Sequence, residues 1–262
     1  MLSSSLLFFI AAVFLGYMMS GKAMVPIVEA FQRQKQFVAD ASHELRTPLS
    51  VVKSSLEVLE AEEHEHMQPF SKQVLHDLMD EVNRIIALSA NLLTLARADS
   101  SEHDIKFERV QLDEEINKIA RKLQPLVQEK SLQISYKVDP NLNLYASKPL
   151  IIQLLIILLD NAIHYTPEGG SISLTAQVDQ VMAVIIIQDT GIGISEQQLD
   201  RVFERFYRAD PSRSRSSGNV GLGLSIAKWI VDSHGGTIQV DSQVDQGTRF
   251  TITLPLRTSI SG

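Results

Sequence analysis

The segment FVADASHELRTPLS, residues 37–50, is the stretch around which the chain is organised. Read as a helix, it places apolar side chains at spacings of three, four and seven, which continue beyond it as one apolar seam. The seam consists of Val38, Leu45, Leu49, Val52, Leu56 and Leu59. His43 lies off this seam, and its neighbours one and two helical turns away are polar. We therefore expect a helix that buries one face and presents His43 to water.

His43 and Glu44 have the side-chain chemistry for a nucleophilic reaction. An imidazole in water titrates near neutral pH, and its neutral form attacks electrophiles. The Glu44 carboxylate follows directly and can take or orient the second ring proton. A solvent-facing His beside a Glu is nevertheless most often an ordinary surface pair, because polar residues lie outside. These two residues alone leave both interpretations open.

The full string HELRTPLS, residues 43–50, is more specific than its first two residues. It resembles the phosphoacceptor box of sensor histidine kinases. The resemblance implies that His43 is phosphorylated from ATP, with Glu44 as base or orienting partner. Glu44 and Thr47 also match the E-x-x-T pattern of that family, which implies that Thr47 orients a water that dephosphorylates a response regulator. A nucleotide site and a dimer are then expected from the rest of the chain.

Composition is that of an ordinary folded protein. The 262 residues suffice for one sizeable domain or two small ones, and 44% of them are hydrophobic. The net charge of −7 argues against a general nucleic-acid binder, so no nucleic-acid partner is expected. The sequence contains no Cys, which excludes disulfides and thiolate metal sites.

Residues 1–21 carry no charged side chain and include the run LLFFIAAVFLGYMM. The run predicts a transmembrane helix, with a buried apolar helix or a cleaved signal as alternatives. Lys22, Arg33 and Lys35 follow it, so the positive-inside rule predicts a cell-membrane protein whose catalytic part is cytoplasmic. Residues 22–36 are the expected juxtamembrane linker. Members of the sensor histidine kinase family usually have a second membrane span and a sensor between the two spans, and this sequence shows neither. Two interpretations stay open: the sequence is a fragment of a longer chain, or the protein has no sensor.

Residues 37–100 are predicted to form a helical hairpin. The His43 helix should end near Glu62, and a second helix should run from about Ser71 to Ala98. Its apolar stripe consists of Leu75, Leu78, Val82, Ile85, Leu88, Leu92 and Leu95. Two hairpins hide such stripes by pairing into a four-helix bundle, which predicts a homodimer. The resemblance to sensor histidine kinases implies that residues 37–100 are the dimerisation and histidine phosphotransfer domain.

From residue 105 to residue 256 the sequence pattern changes and predicts strands that alternate with helices. Strands are predicted near residues 107–110, 131–138, 142–145, 171–178, 181–188, 237–242 and 248–256. Helices are predicted near residues 113–130, from residue 148, and near 223–234. Mixed helices and mostly antiparallel strands predict an α+β two-layer sandwich. The expected fold is therefore multidomain, with a transmembrane helix, an all-α dimeric hairpin and this sandwich.

Asn161 ends a helix that is apolar on nearly every face up to Asp160. A polar side chain at the end of a buried helix needs a partner, so Asn161 is either a hydrogen-bonded core residue, a cap or a ligand. As a ligand, its amide oxygen suits Mg²⁺, which prefers hard oxygen donors and keeps phosphate oxygens in its shell.

Two glycine-containing segments allow a ligand to approach the backbone closely. Asp189 to Gly193, DTGIG, follows a strand, and the Asp189 carboxylate can accept a hydrogen bond from an adenine amino group. The segment GNVGLGLS, residues 218–225, opens a helix, where N–H groups and the helix dipole favour phosphate. It is neither a dinucleotide fingerprint, because the third glycine would fall at Ile226, nor a P-loop, because no GK[ST] follows. D-x-G-x-G alone is usually just a turn.

Together with FERFYR at residues 203–208 and QGTRF at residues 246–250, these segments resemble the N, G1, F, G2 and G3 boxes of the histidine kinase ATP-binding domain. That domain has a Bergerat-type fold shared with Hsp90, MutL and gyrase ATPases. The resemblance implies ATP and Mg²⁺ as cofactors, Asn161 as metal ligand, and an ATP lid over residues 196–219. The residues implied to bind the nucleotide are Asn161, Tyr165, Asp189, Gly191, Gly193, Arg208, Gly218, Gly221, Leu222, Gly223 and Thr248.

Two positions depart from the family pattern. Ile157 stands where the family has an Asn and related ATPases have the Glu that activates water, and His164 stands where the family often has a Lys. The resemblance as a whole implies a membrane-bound sensor histidine kinase that passes the phosphoryl group from His43 to an Asp of a response regulator. The departures leave open a degenerate kinase, acting mainly as a phosphatase of the regulator or as an ATP-binding scaffold. A chaperone-like ATPase is disfavoured, because an isoleucine cannot activate water.

Overall fold

The computed structural model describes residues 48–61, 67–98, 105–140, 142–208 and 221–256. The chain divides into two compact units, residues 1–103 and residues 104–262. Several predicted features lie outside the described residues. These are the transmembrane helix over residues 1–21, the linker over residues 22–36, the phosphotransfer residues His43, Glu44 and Thr47, and Gly218.

The described part of the first unit is helical. Residues 48–61 form helix α1, and α2 spans Pro69–Ala98. α2 starts two residues before the predicted Ser71, because proline is well tolerated as the first helical residue, where an N–H would be unpaired in any case. Several large apolar side chains of both helices are exposed, with 62% of Val51 and 79% of Phe70 accessible. A single chain therefore leaves apolar helix surface uncovered.

The strands of the second unit form two sheets. β1 (Glu108–Gln111) pairs antiparallel with β3 (Asn143–Ala146). The remaining strands are β2 (Gln133–Val138), β4 (Ser171–Asp179), β5 (Met182–Asp189), β6 (Thr237–Gln243) and β7 (Gly247–Pro255). They form a sheet in the order β2-β4-β5-β7-β6, in which β2 and β4 are parallel and the other neighbours antiparallel.

The helices of the second unit are α3 (Leu112–Glu129), α4 (Lys148–Tyr165), the short α5 (Glu196–Leu199) and α6 (Gly223–Ser233). Burial alternates along β5, so the sheet buries one of its two faces. α4 packs against β5 and between α3 and α6. Its fully buried side chains are Ile151, Leu154, Leu155, Leu158 and Leu159. The predicted α+β two-layer sandwich is confirmed, with α4 at its core.

Among the described helices, α4 is long and apolar enough to span a membrane by length and composition. Seven of its residues are buried, and its fully buried side chains belong to the core of the sandwich. The apolar sequence of α4 is thus accounted for by packing within the second unit.

Two contacts anchor the start of α4. The Ser147 N–H donates to Nε2 of His234 over 3.0 Å, and Nδ1 of His234 lies 2.7 Å from the Ile230 carbonyl oxygen. This buried imidazole therefore carries its proton on Nδ1 and ties the end of α6 to the start of α4. On the other side, Lys148 pairs with the buried Glu115 of α3 over 3.1 Å. α4 is held in place between its two neighbouring helices.

Candidate nucleotide-binding site

α4 ends where the candidate site begins. The C-cap residue Thr166 donates to the Ala162 carbonyl from its backbone N–H over 3.1 Å and from its hydroxyl over 2.6 Å. Pro167 follows and cannot continue the helix. Asn161 and Tyr165 are four residues apart in the last turns of α4, and both line one cavity.

Asp189, the last residue of β5, is the buried carboxylate of the site. Only 5% of it is exposed, and its Oδ1 accepts hydrogen bonds from the N–H groups of Gly191 over 2.7 Å and Thr248 over 3.2 Å. Burial raises the pKa of the Asp189 carboxyl, and these two backbone bonds oppose the shift in part. Neither bond goes to Oδ2, so within the described part of the chain the second oxygen is available to a ligand in the cavity that Asp189 lines.

Gly191 and Gly193 let three backbone segments meet beside Asp189. A Cβ at Gly191 would lie 2.6 Å from Oδ1 of Asp189 and 2.7 Å from the Tyr165 carbonyl oxygen. Gly193 has a φ of +68°, and a Cβ there would lie 2.0 Å from the Gln243 carbonyl oxygen. The intervening Ile192 N–H donates to the Tyr165 oxygen over 3.2 Å. The end of α4, the end of β5 and the β6–β7 turn are thereby joined, which only glycine permits at these two positions.

Ser242 of β6 supports this junction, although it was not predicted. Its hydroxyl donates to the Gly247 carbonyl over 2.8 Å and accepts from the Ile194 N–H over 2.8 Å. Since that proton is already used, the Thr248 hydroxyl, 2.9 Å away, is the donor in their contact. A serine in an alternating strand carries no sequence signal for such a role.

The third side of the cavity comes from residues 203–208, FERFYR, and from the described part of the glycine-containing segment, which begins at Gly221. Gly221 has a φ of +76°, its missing Cβ makes room for the Tyr207 carbonyl, and its own carbonyl accepts from the Phe206 N–H over 2.9 Å. Arg208 follows, and its Nε and one Nη are buried without a hydrogen-bond partner in the described part of the chain. Since Arg208 lines the cavity, these buried donors give the site an affinity for an anion.

The cavity has a volume of about 120 Å³ and brings together most of the predicted nucleotide-binding residues. Those that line it are Asn161, Tyr165, Asp189, Gly193, Arg208, Gly221, Gly223 and Thr248. Gly191 supports the wall from outside, and Leu222 is buried in the core with 1% exposure. The prediction missed the apolar lining residues Ala162, Ile192, Ile194, Val202, Tyr207, Leu224 and Phe250. Apolar lining residues are hard to tell from core residues by sequence, because both read as buried.

The two departures from the family pattern lie beside the cavity without lining it. Cγ2 of Ile157 is 3.3 Å from the position that a Cβ of Gly223 would take. His164 stacks edge-on against Tyr165 at 4.8 Å. Burial, and then the charge of Lys130, lower the pKa of the His164 imidazole, against a smaller opposing effect of Asp160. No cluster of three or more His or acidic side chains suited to a metal occurs among the described residues.

Two family descriptions match the chain in sequence order. Residues 33–101 match the His Kinase A (phospho-acceptor) domain, and residues 146–258 match the histidine kinase-, DNA gyrase B- and HSP90-like ATPase family. The chain belongs to the sensor histidine kinases. The family predicted from HELRTPLS and the glycine-containing boxes is thereby confirmed, and so is an ATP-binding fold for the second unit.

Named histidine kinases are similar to the chain over most of its length. The signal transduction histidine-protein kinase ArlS of Staphylococcus epidermidis is 37% identical over 233 residues, covering 89% of this chain and 51% of the relative. ArlS of Staphylococcus aureus is 38% identical over 237 residues, covering 87% and 50%. The chain thus spans about half the length of these relatives.

Solved histidine kinases share the fold. Full-length ShkA in complex with AMPPNP superimposes with a TM-score of 0.68 at 25% identity, over 86% of this chain and 46% of that one. The catalytic domain of the histidine kinase ThkA gives a TM-score of 0.52 at 26% identity, over 57% of this chain and 95% of that one.

Proposed function

We propose that the chain is a membrane-bound sensor histidine kinase that autophosphorylates His43 from ATP and passes the phosphoryl group to an Asp of a response regulator. The observation that carries this proposal is the cavity of the second unit, which is lined by the Asp189 carboxylate, Asn161 and a buried part of the Arg208 guanidinium. A nucleoside triphosphate with its cation offers an amino donor, a metal-bound phosphate and free phosphate oxygens to such groups.

Each group has a role in the proposed complex. Oδ2 of Asp189 accepts a hydrogen bond from the adenine amino group, and Tyr165 lies beside the base. The backbone N–H groups at the start of α6 donate to phosphate oxygens, since Gly221 and Gly223 have no side chains to keep the phosphates away. Arg208 donates to the phosphate chain. When bound through the oxygen of Asn161, Mg²⁺ would neutralise part of the phosphate charge. The AMPPNP held by ShkA supports an adenine nucleotide as the ligand.

His43 supplies the nucleophile. Its neutral ring nitrogen forms a bond to the γ-phosphorus while the bond from that phosphorus to the ADP oxygen breaks. Glu44 takes or orients the proton on the other ring nitrogen. Catalysis rests mostly on positioning and charge neutralisation, as in other phosphoryl transfers. Thr47 is proposed to orient the water that dephosphorylates the regulator.

The proposed organisation follows the domains expected from sequence. Residues 1–21 anchor the chain in the cell membrane, residues 22–36 link the anchor to the dimerisation and phosphotransfer domain over residues 37–100, and residues 105–256 form the cytoplasmic catalytic domain. The exposed apolar side chains of α1 and α2 support a homodimer, since a second hairpin would cover them. The name "signal transduction histidine-protein kinase" borne by the relatives supports a response regulator as partner.

A degenerate kinase is not favoured as the alternative. The two ArlS relatives described above are histidine-protein kinases by name. Ile157 lies beside Gly223 at the start of α6 and does not line the cavity, so its apolar side chain does not fill the proposed nucleotide site.

Autophosphorylation tests the proposal. The chain is incubated with γ-labelled ATP and Mg²⁺ beside a His43→Ala variant, and acid-labile label on the protein is counted. We expect label on the wild type and none on the variant. Nucleotide binding without label on either protein would overturn the kinase assignment in favour of the phosphatase or scaffold.

A further inference from the structure

The last two turns of α4 carry Asn161 and Tyr165, which line the cavity. The geometry of this helix end therefore decides where the two side chains stand. An α-helix leaves its final carbonyl groups without helical partners, and such an end frays unless other groups satisfy them. The way these carbonyls are satisfied therefore bears on the nucleotide site.

Hydrogen bonds account for every carbonyl from Ala162 to Thr166. The Thr166 N–H and hydroxyl donate to the Ala162 oxygen, and the Ile192 N–H donates to the Tyr165 oxygen. The other three carbonyl oxygens all accept hydrogen bonds from the ammonium group of Lys130. Its Nζ donates to the oxygens of Ile163 over 2.9 Å, His164 over 2.8 Å and Thr166 over 3.5 Å. One side chain from another helix thus satisfies most of this helix end.

Lys130 is itself held firmly enough to perform this role. It is the C-cap residue of α3, and its backbone N–H donates to the Leu126 carbonyl over 3.3 Å. Its own carbonyl accepts from the Gly169 N–H over 3.2 Å, in the loop that leaves α4. The next residue, Ser131, has a φ of +51°, which turns the chain away from α3 into β2. The backbone of Lys130 is therefore fixed where its side chain reaches α4. Its half-buried ammonium group interacts favourably with the negative end of the α4 helix dipole.

We propose that Lys130 is a positioning residue for the nucleotide site, acting through the end of α4. It lines no part of the cavity and touches no proposed ligand. Without its three hydrogen bonds, the turn that bears Tyr165 loosens, and the Tyr165 carbonyl no longer holds the Ile192 N–H in the loop after Asp189. The proposal rests on the proposed function, since it assigns Lys130 to the same ATP site.

The test compares three variants of the full chain. Lys130→Met keeps the aliphatic stem and removes the charge and donors, Lys130→Arg restores a cation with several donors, and Lys122→Met removes an exposed cation from the same helix. Mg·ATP affinity is measured by calorimetry well below the unfolding temperature, and amide hydrogen exchange is followed at Thr166 and Ile192. Loss of charged hydrogen bonds should weaken ATP binding of Lys130→Met roughly tenfold.

We expect faster exchange at both amides in Lys130→Met, partial recovery in Lys130→Arg, and values within about twofold of wild type in Lys122→Met. In the labelling of His43, the loss should raise KM for ATP and leave kcat nearly unchanged, because saturating nucleotide re-forms the site. ATP affinity and exchange in Lys130→Met equal to those of Lys122→Met would overturn the proposal.

The two claims fail in distinguishable ways. If the wild type binds ATP but leaves His43 unlabelled, the proposed function falls and the ATP affinities still decide the role of Lys130. If the wild type binds no nucleotide, the proposed site falls, and with it a role for Lys130 in positioning it. Exchange at Thr166 and Ile192 then reports whether Lys130 holds the helix end as a purely structural contact.

Discussion

Replacing Asp189 by Asn should separate nucleotide binding from folding. The Asn oxygen can still accept the N–H groups of Gly191 and Thr248, which reach Oδ1 of Asp189 over 2.7 and 3.2 Å. The second position, which an acceptor oxygen occupies in Asp189, then carries an NH₂ donor that faces the adenine amino group. A hydrogen bond to a charged group contributes about 1.5–3 kcal/mol, so the loss should weaken Mg·ATP binding roughly 10- to 150-fold.

The same substitution should leave the fold as stable as before or more stable. Burial raises the pKa of Asp189 in the folded chain, so the ionised carboxylate is disfavoured there relative to the unfolded chain. Such a group lowers the free energy of unfolding at pH values above its folded pKa, and this cost declines as the pH falls from the folded pKa towards the lower pKa of the unfolded chain. Asn carries no charge at any pH and avoids the cost.

Calorimetric titration with Mg·ATP and thermal unfolding at pH 8 measure both effects. Asp241→Asn is the matched control, because Asp241 is an exposed residue of β6 that does not line the cavity. The reasoning is refuted if Asp189→Asn binds ATP within about twofold of the control, since a lost charged hydrogen bond costs more. It is also refuted if Asp189→Asn unfolds at a clearly lower temperature than the control.

Three further results are expected. As the pH is lowered, the ATP affinity of the wild type should begin to fall at a higher pH than it would with an Asp of ordinary pKa, because burial raises the pKa of Asp189. Protonated Asp189 no longer accepts a hydrogen bond from adenine. Calorimetry on Asp189→Asn over the same pH range should not show this fall in affinity. Gly193→Ala should lower the free energy of unfolding by at least about 1–2 kcal/mol and impair ATP binding. Gly169 is the control, because it has a φ of +77° and nothing within 4 Å of an added Cβ. In chemical denaturation, Gly169→Ala should lose only the free energy needed to hold an alanine at positive φ. His234→Ala leaves the buried Ser147 N–H without the His234 acceptor and should reduce the free energy of unfolding by about 2–4 kcal/mol. A reduction under about 0.5 kcal/mol in urea titration would contradict the stabilising role assigned to the His234 contacts.

The elements of the second unit were predictable because their signals are local. β5 is a run of alternately buried apolar residues, and α4 is apolar on nearly every face, so both were recognised close to their observed bounds. DTGIG alone indicates no more than a turn, and Asp189 and Gly193 were assigned to the site because this segment stands in sequence order with the other boxes of the family. The separate pairing of β1 with β3 was not predicted, since strand partners are set by tertiary packing.

The supporting residues of the site could not be predicted in the same way. Ser242 and Lys130 belong to an ordinary strand and an ordinary helix end, and their roles depend on carbonyl and amide groups from residues distant in sequence. The cation–π contact of Arg201, 4.4 Å from the Tyr207 ring centre, likewise becomes visible only when the chain is folded. Sequence patterns report which face is buried, and they do not report which polar atoms meet there.

The measurement that tests the central claim most directly is a comparison of α-labelled and γ-labelled ATP on the full chain with Mg²⁺, followed by proteolysis at neutral or alkaline pH and mapping of the labelled peptide. We expect label from the γ position alone, on the peptide that contains His43, and loss of that label on acid treatment. Acid-stable label on Ser42 or Ser50, or label from the α position, would contradict transfer of the γ-phosphoryl group to His43.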